Sequence, residues 1–343
     1  MPTTRLLNFL DTTHPTLFND RTRAFLESQF EVTHFDRADW SPQTIQKYFC
    51  EVQPQVILTG WGCQQLQLTD ALISSVPSLQ IWAHVGSSLK AIFDAPNTIE
   101  RLRVLNTAPV IGRYVAESTV GHLIYGLRCF RLLNGMLQEG NHWGHLDKTP
   151  ECEKSLYHAT VGLVGLGKVG REVVRLLQPF GAKLLVHDPY LAPEMAREMG
   201  LQNVSLKVLL EESDAISLHA AATEETHHLI DAKSLQLMRT GSGIINTARG
   251  ALIDTAALAQ EIAAGRLWCA IDTYEEERKR PITEDPLVAL AHLPHCFVTP
   301  HVAGIVPSAR AFMVEELLQE AQKVLLHGGA SPLTASRDAF YMG

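Results

Sequence analysis

The chain has 343 residues, of which 46% are hydrophobic and 19% charged, and a formal net charge of −8. That is the length of about two domains at ~150 residues each, with apolar matter enough for a sizeable core, so a disordered chain is excluded. No run of Lys and Arg supplies the basic face that a nucleic-acid binder needs.

The six cysteines, Cys50, Cys63, Cys129, Cys152, Cys269 and Cys296, are scattered without a C-x-x-C pair. They read as reduced thiols of a cytosolic protein. The N-terminal stretch MPTTRLLNFLDTTHP is broken by Asn8 and Asp11, so it is neither a signal segment nor a membrane span, and the expected compartment is the cytoplasm.

In chain order, strand-like runs stand at RLLNFLD, QVILTG, LQIWAHV and RVLNTA, with helical stretches such as RTRAFLESQ and TDALISSV among them. A long helix is expected from Tyr114 to about Glu139, acidic at Glu117, basic at Arg128 and Arg131, and stopped by Gly140. A polar stretch, NHWGHLDKTPECEKSLYHA, reads as a loop. Strand TVGLVGLG, helix KVGREVVRLLQPFG and strand AKLLVHD then form a βαβ unit. Further strands follow at AISLHA, GSGIINTA, LWCAIDTY and CFVTPHV, and a last helix at about Pro307 to Leu326. The alternation is the pattern of an α/β protein with a parallel sheet.

The strongest local signal is Gly165-Leu166-Gly167-Lys168-Val169-Gly170. A bare G-x-G-x-x-G is weak, but this one ends a strand, opens an amphipathic helix and is followed by an acid, Asp188, at the end of the next strand. Gly165 permits the tight turn, Gly167 lets a pyrophosphate approach the backbone, and Gly170 lets helix and strand pack closely. The helix amides meet the phosphate charge. Asp188 suits the ribose hydroxyls and repels a 2′-phosphate, so NAD (NADH) is expected rather than NADP.

Three later segments, INTARGALID, AIDTYEEE and VTPHVAG, join VGLVGLGKVG and Ala116-Glu117 in the same order as in a known family. Over about residues 50 to 305 the chain resembles the D-isomer-specific 2-hydroxyacid dehydrogenases, the group of phosphoglycerate dehydrogenases and glyoxylate/hydroxypyruvate reductases. The resemblance implies hydride transfer between NAD and the alpha carbon of a small 2-oxo or D-2-hydroxy acid. It implies Arg249 as the residue that orients the substrate carboxylate, a task that suits a planar guanidinium fork. His301 corresponds to the acid/base, and Glu277, five residues after Asp272, to its carboxylate partner. Asp272, Thr247, Ala248, Ala303 and Gly304 would lie along the cofactor, and Val85, Gly86 and Ser87 would hold the substrate carboxylate through backbone amides. The expected fold is therefore α/β, two doubly wound parallel-sheet (Rossmann/flavodoxin-like) domains with a cleft between them: a discontinuous substrate domain, 1–107 and 302–343, around an NAD-binding domain, 108–301. The resemblance further implies a homodimer built on the long helix.

Other histidines read as structural: His219, the pair His227-His228, and His142 with His145, whose spacing lacks a completing ligand. No metal is expected. The substrate loop departs from the family pattern, with His84 and Ser87 to Ala91 where relatives carry Gly, Asp and Asn, and Lys90 is new. Two alternatives share the same residues: a phosphonate dehydrogenase and an NAD-sensing, corepressor-like binding protein.

Overall fold

Short apolar strands separated by amphipathic stretches long enough to cross back over the sheet pair in parallel, because each connection returns the chain to the same end of the sheet. The computed structural model describes residues 4–63, 65–66, 68–89, 92, 102–140, 154–275 and 281–335. They divide into two compact units, 1–111 with 305–343, and 112–304.

The first unit contains β1 (Thr4–Asn8), α1 (Asp20–Gln29), β2 (Phe30–His34), α2 (Pro42–Val52), β3 (Val56–Gly60), α3 (Asp70–Ser74), β4 (Ile81–Val85) and β5 (Arg103–Asn106). Its sheet has the parallel order β2-β1-β3-β4-β5, a doubly wound arrangement. Every residue of β3 and β4 is buried, as strands covered on both faces must be. The C-terminal stretch belongs here because its backbone is bonded in: Asn106 N–H donates to the Leu333 carbonyl (2.8 Å) and Ala335 N–H to that of Val104 (2.8 Å). Its helix also pairs Glu315 with Arg21 at 2.7 Å.

The second unit begins inside α4 (Ala108–Leu127) and continues through α5 (Phe130–Gln138), β6 (Thr160–Val164), α6 (Lys168–Leu177), β7 (Lys183–His187), α7 (Pro193–Glu198), β8 (Gln202–Asn203) and α8 (Leu206–Glu212). Then come β9 (Ala215–Leu218), α9 (Ala232–Leu237), β10 (Gly243–Asn246), α10 (Thr255–Ala263), β11 (Trp268–Ile271), α11 (Pro286–Ala289) and β12 (Cys296–Val298). The last helix, α12 (Pro307–His327), returns to the first unit. The seven strands run in parallel as β12-β11-β10-β9-β6-β7-β8. Successive side chains of one strand enter opposite layers: Ile244 and Cys269 pack with Leu209 and Leu258, Ile245 and Ala270 with Val173 and Leu123. The strand order reverses at β6, so the ends of β6 and β9 frame the crevice where such sheets bind ligands.

The long helix, strand β2 and helix α2 differ from expectation. The helix foreseen from Tyr114 to about Glu139 is two helices, broken at Cys129, whose φ is +48°. Tertiary partners replace the missing turn: Lys154 N–H donates to the Leu127 carbonyl (2.7 Å), and Arg131 to those of Cys296 (2.9 Å) and Ala291 (2.5 Å). Strand β2 and helix α2 were not foreseen. β2 is a polar edge strand that buries only Phe30. Helix α2 did carry a start signal, Ser41 capping the Thr44 amide and Pro42 at the first position.

Candidate active site

The glycine turn follows β6 without interruption. Gly165 has φ +89°, and a Cβ there would lie 2.7 Å from the Ala220 nitrogen; one on Gly170 would lie 2.7 Å from the Gly165 carbonyl oxygen. Both glycines are demanded by the chain's own packing. At Gly167, by contrast, a Cβ would meet nothing within 4 Å. The missing side chain there leaves open space directly before α6, whose N-cap is Gly167 itself, with no side-chain cap. The first amides of α6 therefore fit an anion, and the residues present fit the pyrophosphate of a dinucleotide. Lys168 and Val169 open that helix.

Asp188 is oriented toward the turn: one carboxylate oxygen accepts from Leu166 N–H (2.7 Å), the other from Tyr190 N–H (2.8 Å). Asn203 holds its backbone from both sides, at 3.2 and 3.0 Å. A carboxylate has about four lone-pair positions, so two remain for ribose hydroxyls.

At the end of β10, buried Asn246 staples the turn that carries the arginine. Its amide nitrogen donates to the Arg249 carbonyl (2.8 Å) and its oxygen accepts from Ala248 N–H (3.0 Å). Half-buried Arg249 is thereby set in extended backbone, and its Nη1 donates to the Ala248 carbonyl (2.7 Å). Thr247 turns inward. Thr119 donates to the Val115 carbonyl (2.8 Å), so at 3.0 Å the Thr247 hydroxyl donates to Thr119 Oγ1. Asn246 was not among the expected site residues; its place after a strand and before Thr-Ala-Arg was the available signal.

Asp272, 1% exposed, ends β11 and anchors the histidine turn. Its carboxylate accepts from Thr299 Oγ1 (2.5 Å), Val302 N–H (2.8 Å) and Ala303 N–H (2.9 Å). Between these bonds sits His301, half-buried, with φ +55° and its N–H on the Thr299 carbonyl at 3.0 Å. The left-handed backbone is uncommon for a residue with a Cβ, and three bonds to one carboxylate impose it. Tyr274 Oη adds a fourth tie, to the Thr299 carbonyl at 2.8 Å. Burial, then the charge of Asp272, pushes the Tyr274 phenol well above its ordinary range, so it stays a donor. Glu277 lies outside the described residues, as do Lys90, His142 and His145.

In the first unit, β4 ends at Val85, fully buried, so Val85 offers backbone only, while Ser87 is exposed. The Gly86 N–H is engaged within the fold, on Thr107 Oγ1 at 2.8 Å. Beneath this loop Trp82 Nε1–H donates to Thr59 Oγ1 (2.8 Å), which lies 3.0 Å from His84 Nδ1. With Oγ1 accepting from Trp82, the Thr59 hydroxyl keeps its own hydrogen for Nδ1, an arrangement that fits an imidazole with its hydrogen on Nε2. A Cβ at Gly86 would fall 2.7 Å from that Nε2. The departure from the family pattern at His84 is thus a neutral imidazole supporting the loop from below.

Burial lowers His84 and His219 to about 4 from the ordinary 6.5. His219, beside Gly165, leaves both ring nitrogens buried without a partner among the described residues. The unfolded chain therefore binds protons that the native state refuses. Stability is full above pH 6.5 and falls as the pH drops toward 4, by about 2 kcal/mol per histidine between pH 7 and 5. Urea midpoints at the two pH values check this, and His219→Gln should remove its share of the slope. An unchanged midpoint in the wild type refutes it.

Residues 120–303 match the family pattern described as D-isomer specific 2-hydroxyacid dehydrogenase, NAD binding domain. The chain is 33% identical over 261 residues to the hydroxypyruvate reductase of Thermotoga maritima, covering 76% of this chain and 82% of the relative. It is 32% identical over 240 residues to the D-3-phosphoglycerate dehydrogenase of Mycobacterium bovis, and spans 44% of that protein's length. Among solved structures, the apo D-mandelate dehydrogenase of Rhodotorula graminis superposes with a TM-score of 0.76 at 23% identity, covering 98% of each chain. A phosphoglycerate oxidoreductase from Rhizobium etli reaches 0.80 at 24%, covering 96% of this chain and 97% of its own. At such identities these structures speak for the fold alone, whereas the family match covers more than half of the chain. The chain belongs to the D-isomer-specific 2-hydroxyacid dehydrogenases, NAD-dependent oxidoreductases that interconvert 2-oxo and 2-hydroxy acids.

Proposed function

We propose that the chain reduces a small 2-oxo acid to the D-2-hydroxy acid, with His301 as acid/base, Glu277 as its partner and Arg249 on the substrate carboxylate. The observation that carries this reading is the Asp272-anchored turn, which holds an imidazole in an uncommon backbone conformation at a strand end. Bound NADH supplies the hydride. As negative charge grows on the carbonyl oxygen, a ring nitrogen of His301 hands it a proton, and takes it back in the oxidation direction. Arg249 grips the carboxylate with two parallel N–H groups and polarises the neighbouring carbonyl. Glu277 is assigned as the carboxylate that orients the imidazole.

The unit 112–304 is assigned the cofactor, with Gly165, Gly167, Gly170 and Asp188 as its main ligands and Asp272, Thr247, Ala248, Ala303 and Gly304 as framework or contact residues. The other unit is assigned the substrate through the backbone at exposed Ser87, where Val85 and Gly86 shape the loop and the Gly86 N–H is taken by Thr107 Oγ1. A homodimer in the cytoplasm completes the proposal. Its support is α5, an apolar helix without a buried residue, which exposes Phe130 at 44% and Leu137 at 67%.

The test is NADH oxidation against glyoxylate, hydroxypyruvate, pyruvate, and branched and aromatic 2-oxo acids, with NADPH in parallel. Turnover with at least one small 2-oxo acid is expected, with NADPH at least about tenfold poorer because Asp188 faces the 2′ position. No turnover on the whole panel overturns the assignment and favours the NAD-sensing alternative.

A further inference from the structure

The His227-His228 pair, expected to be structural, sits against a carboxylate. His227 Nε2 lies 3.1 Å from Glu275 Oε1, and His228 Nε2 lies 3.2 Å from Glu275 Oε2. The two rings stack with centroids 4.0 Å apart. Among the described residues this is the one set of three His, Cys, Asp or Glu side chains that offers ligand atoms within 4.8 Å of one another. We propose that His227, His228 and Glu275 form a site for a divalent transition-metal ion of the Zn²⁺ class.

Three lines support the assignment. The first is distance. Tetrahedral coordination at about 2.05 Å places ligand atoms about 3.3 Å apart, and the two Nε2–oxygen separations are already near that value. The second is backbone. Consecutive side chains of an extended segment point to opposite sides, yet His228 has φ +48°, which brings both imidazoles to one side. That conformation is held by His228 N–H on the Ala251 carbonyl (2.8 Å) and Ile230 N–H on that of Leu252 (3.0 Å). The preceding turn is closed by Thr226 Oγ1 on the Ala221 carbonyl (2.6 Å) and by Thr223 N–H on Thr226 Oγ1 (2.8 Å).

The third line is how Glu275 reaches them. Gly250 packs directly on the backbone of Tyr274 and Glu275, where a Cβ would fall 2.0 Å from the Tyr274 carbonyl carbon and 2.1 Å from the Glu275 nitrogen. The segment that holds His228 is thereby laid against the segment that carries the carboxylate.

The donor set selects the ion. Two imidazoles and one carboxylate suit Zn²⁺, Co²⁺, Ni²⁺ or Cu²⁺, and not Mg²⁺ or Ca²⁺, which ask for oxygen. Three protein ligands leave a fourth position to water, and the His227 side chain, 53% exposed, opens the site to solvent. On binding, each imidazole carries its hydrogen on Nδ1, and the ion replaces the two Nε2–carboxylate hydrogen bonds. The site is a clip between the 226–229 turn and the 274–275 segment. It does not depend on the catalytic roles proposed above.

The test uses the full chain, freed of metal by chelator and titrated with Co²⁺, whose visible spectrum reports four-coordinate geometry. One equivalent with a tetrahedral spectrum is expected, displaced by Zn²⁺. His227→Ala and Glu275→Gln should each weaken binding at least about tenfold. Zn²⁺ should raise the Tm of the wild type more than that of His227→Ala at the same concentration, since only the native state presents the three ligands and the variant lacks one. His227 is mostly exposed, so its variant keeps the fold, as its metal-free Tm will verify. Absence of a tetrahedral spectrum, or equal affinity in His227→Ala, overturns the site.

Discussion

Replacing His301 by glutamine is expected to lower the rate of 2-oxo acid reduction by about 10²–10⁴-fold, the usual span for a positioned general acid, while leaving the Kd for NADH unchanged. The glycine turn and Asp188 are built from other strand ends and owe nothing to the imidazole. Glutamine alone leaves one ambiguity, because position 301 has φ +55° and a long side chain is strained there. Asparagine tolerates that backbone, so His301→Asn separates the two effects. Loss of turnover in both variants, measured by single-turnover NADH oxidation, assigns the proton to the ring. Normal turnover in the asparagine variant removes His301 from the chemistry.

Asp272→Asn is expected to damage both stability and turnover. The carboxylate takes three donors at once, Thr299 Oγ1, Val302 N–H and Ala303 N–H, at 1% exposure. An amide offers one acceptor oxygen and turns an NH₂ group toward the remaining donors. A buried donor left unpaired costs about 1–3 kcal/mol, and the loss of charge-assisted bonds adds to it. A fall of about 3 kcal/mol in unfolding free energy is expected. Turnover should drop about 10²-fold as the His301 turn loosens. The informative readout is the division between kcat and NADH binding. A positioning role lowers kcat with an unchanged Kd for NADH, whereas direct contact with the nicotinamide end weakens Kd as well. Unchanged stability and kcat would refute the anchoring role.

Contiguous residues determine much of this protein. The strands at 160–164, 215–218, 243–246 and 268–271 are mostly apolar and, Thr160 apart, buried throughout because both faces of a parallel sheet are covered, so their composition announces them. The glycine turn is legible for a similar reason: its helix, its strand and its glycines are consecutive, and φ, close approach and open space are all properties of a few neighbouring residues. Arg249 and His301 are proposed through resemblance, since each lies in a short segment with its own residue pattern.

What tertiary structure decided is which distant group each polar atom meets. Asp272 holds the 299–303 turn from 27 positions away, a pairing that exists because β11 and β12 lie side by side in parallel. Thr59 links Trp82 to His84 because β3 and β4 are neighbours. The helix break at Cys129 answers to carbonyls near β12, and the His227-His228 pair gains its carboxylate because Gly250 admits the Glu275 backbone. In each case the local propensity is neutral or contrary. At Asp272 and His84 the choice is made by a buried polar group that is costly to leave unpaired, and nowhere does sequence separation show where the partner will be.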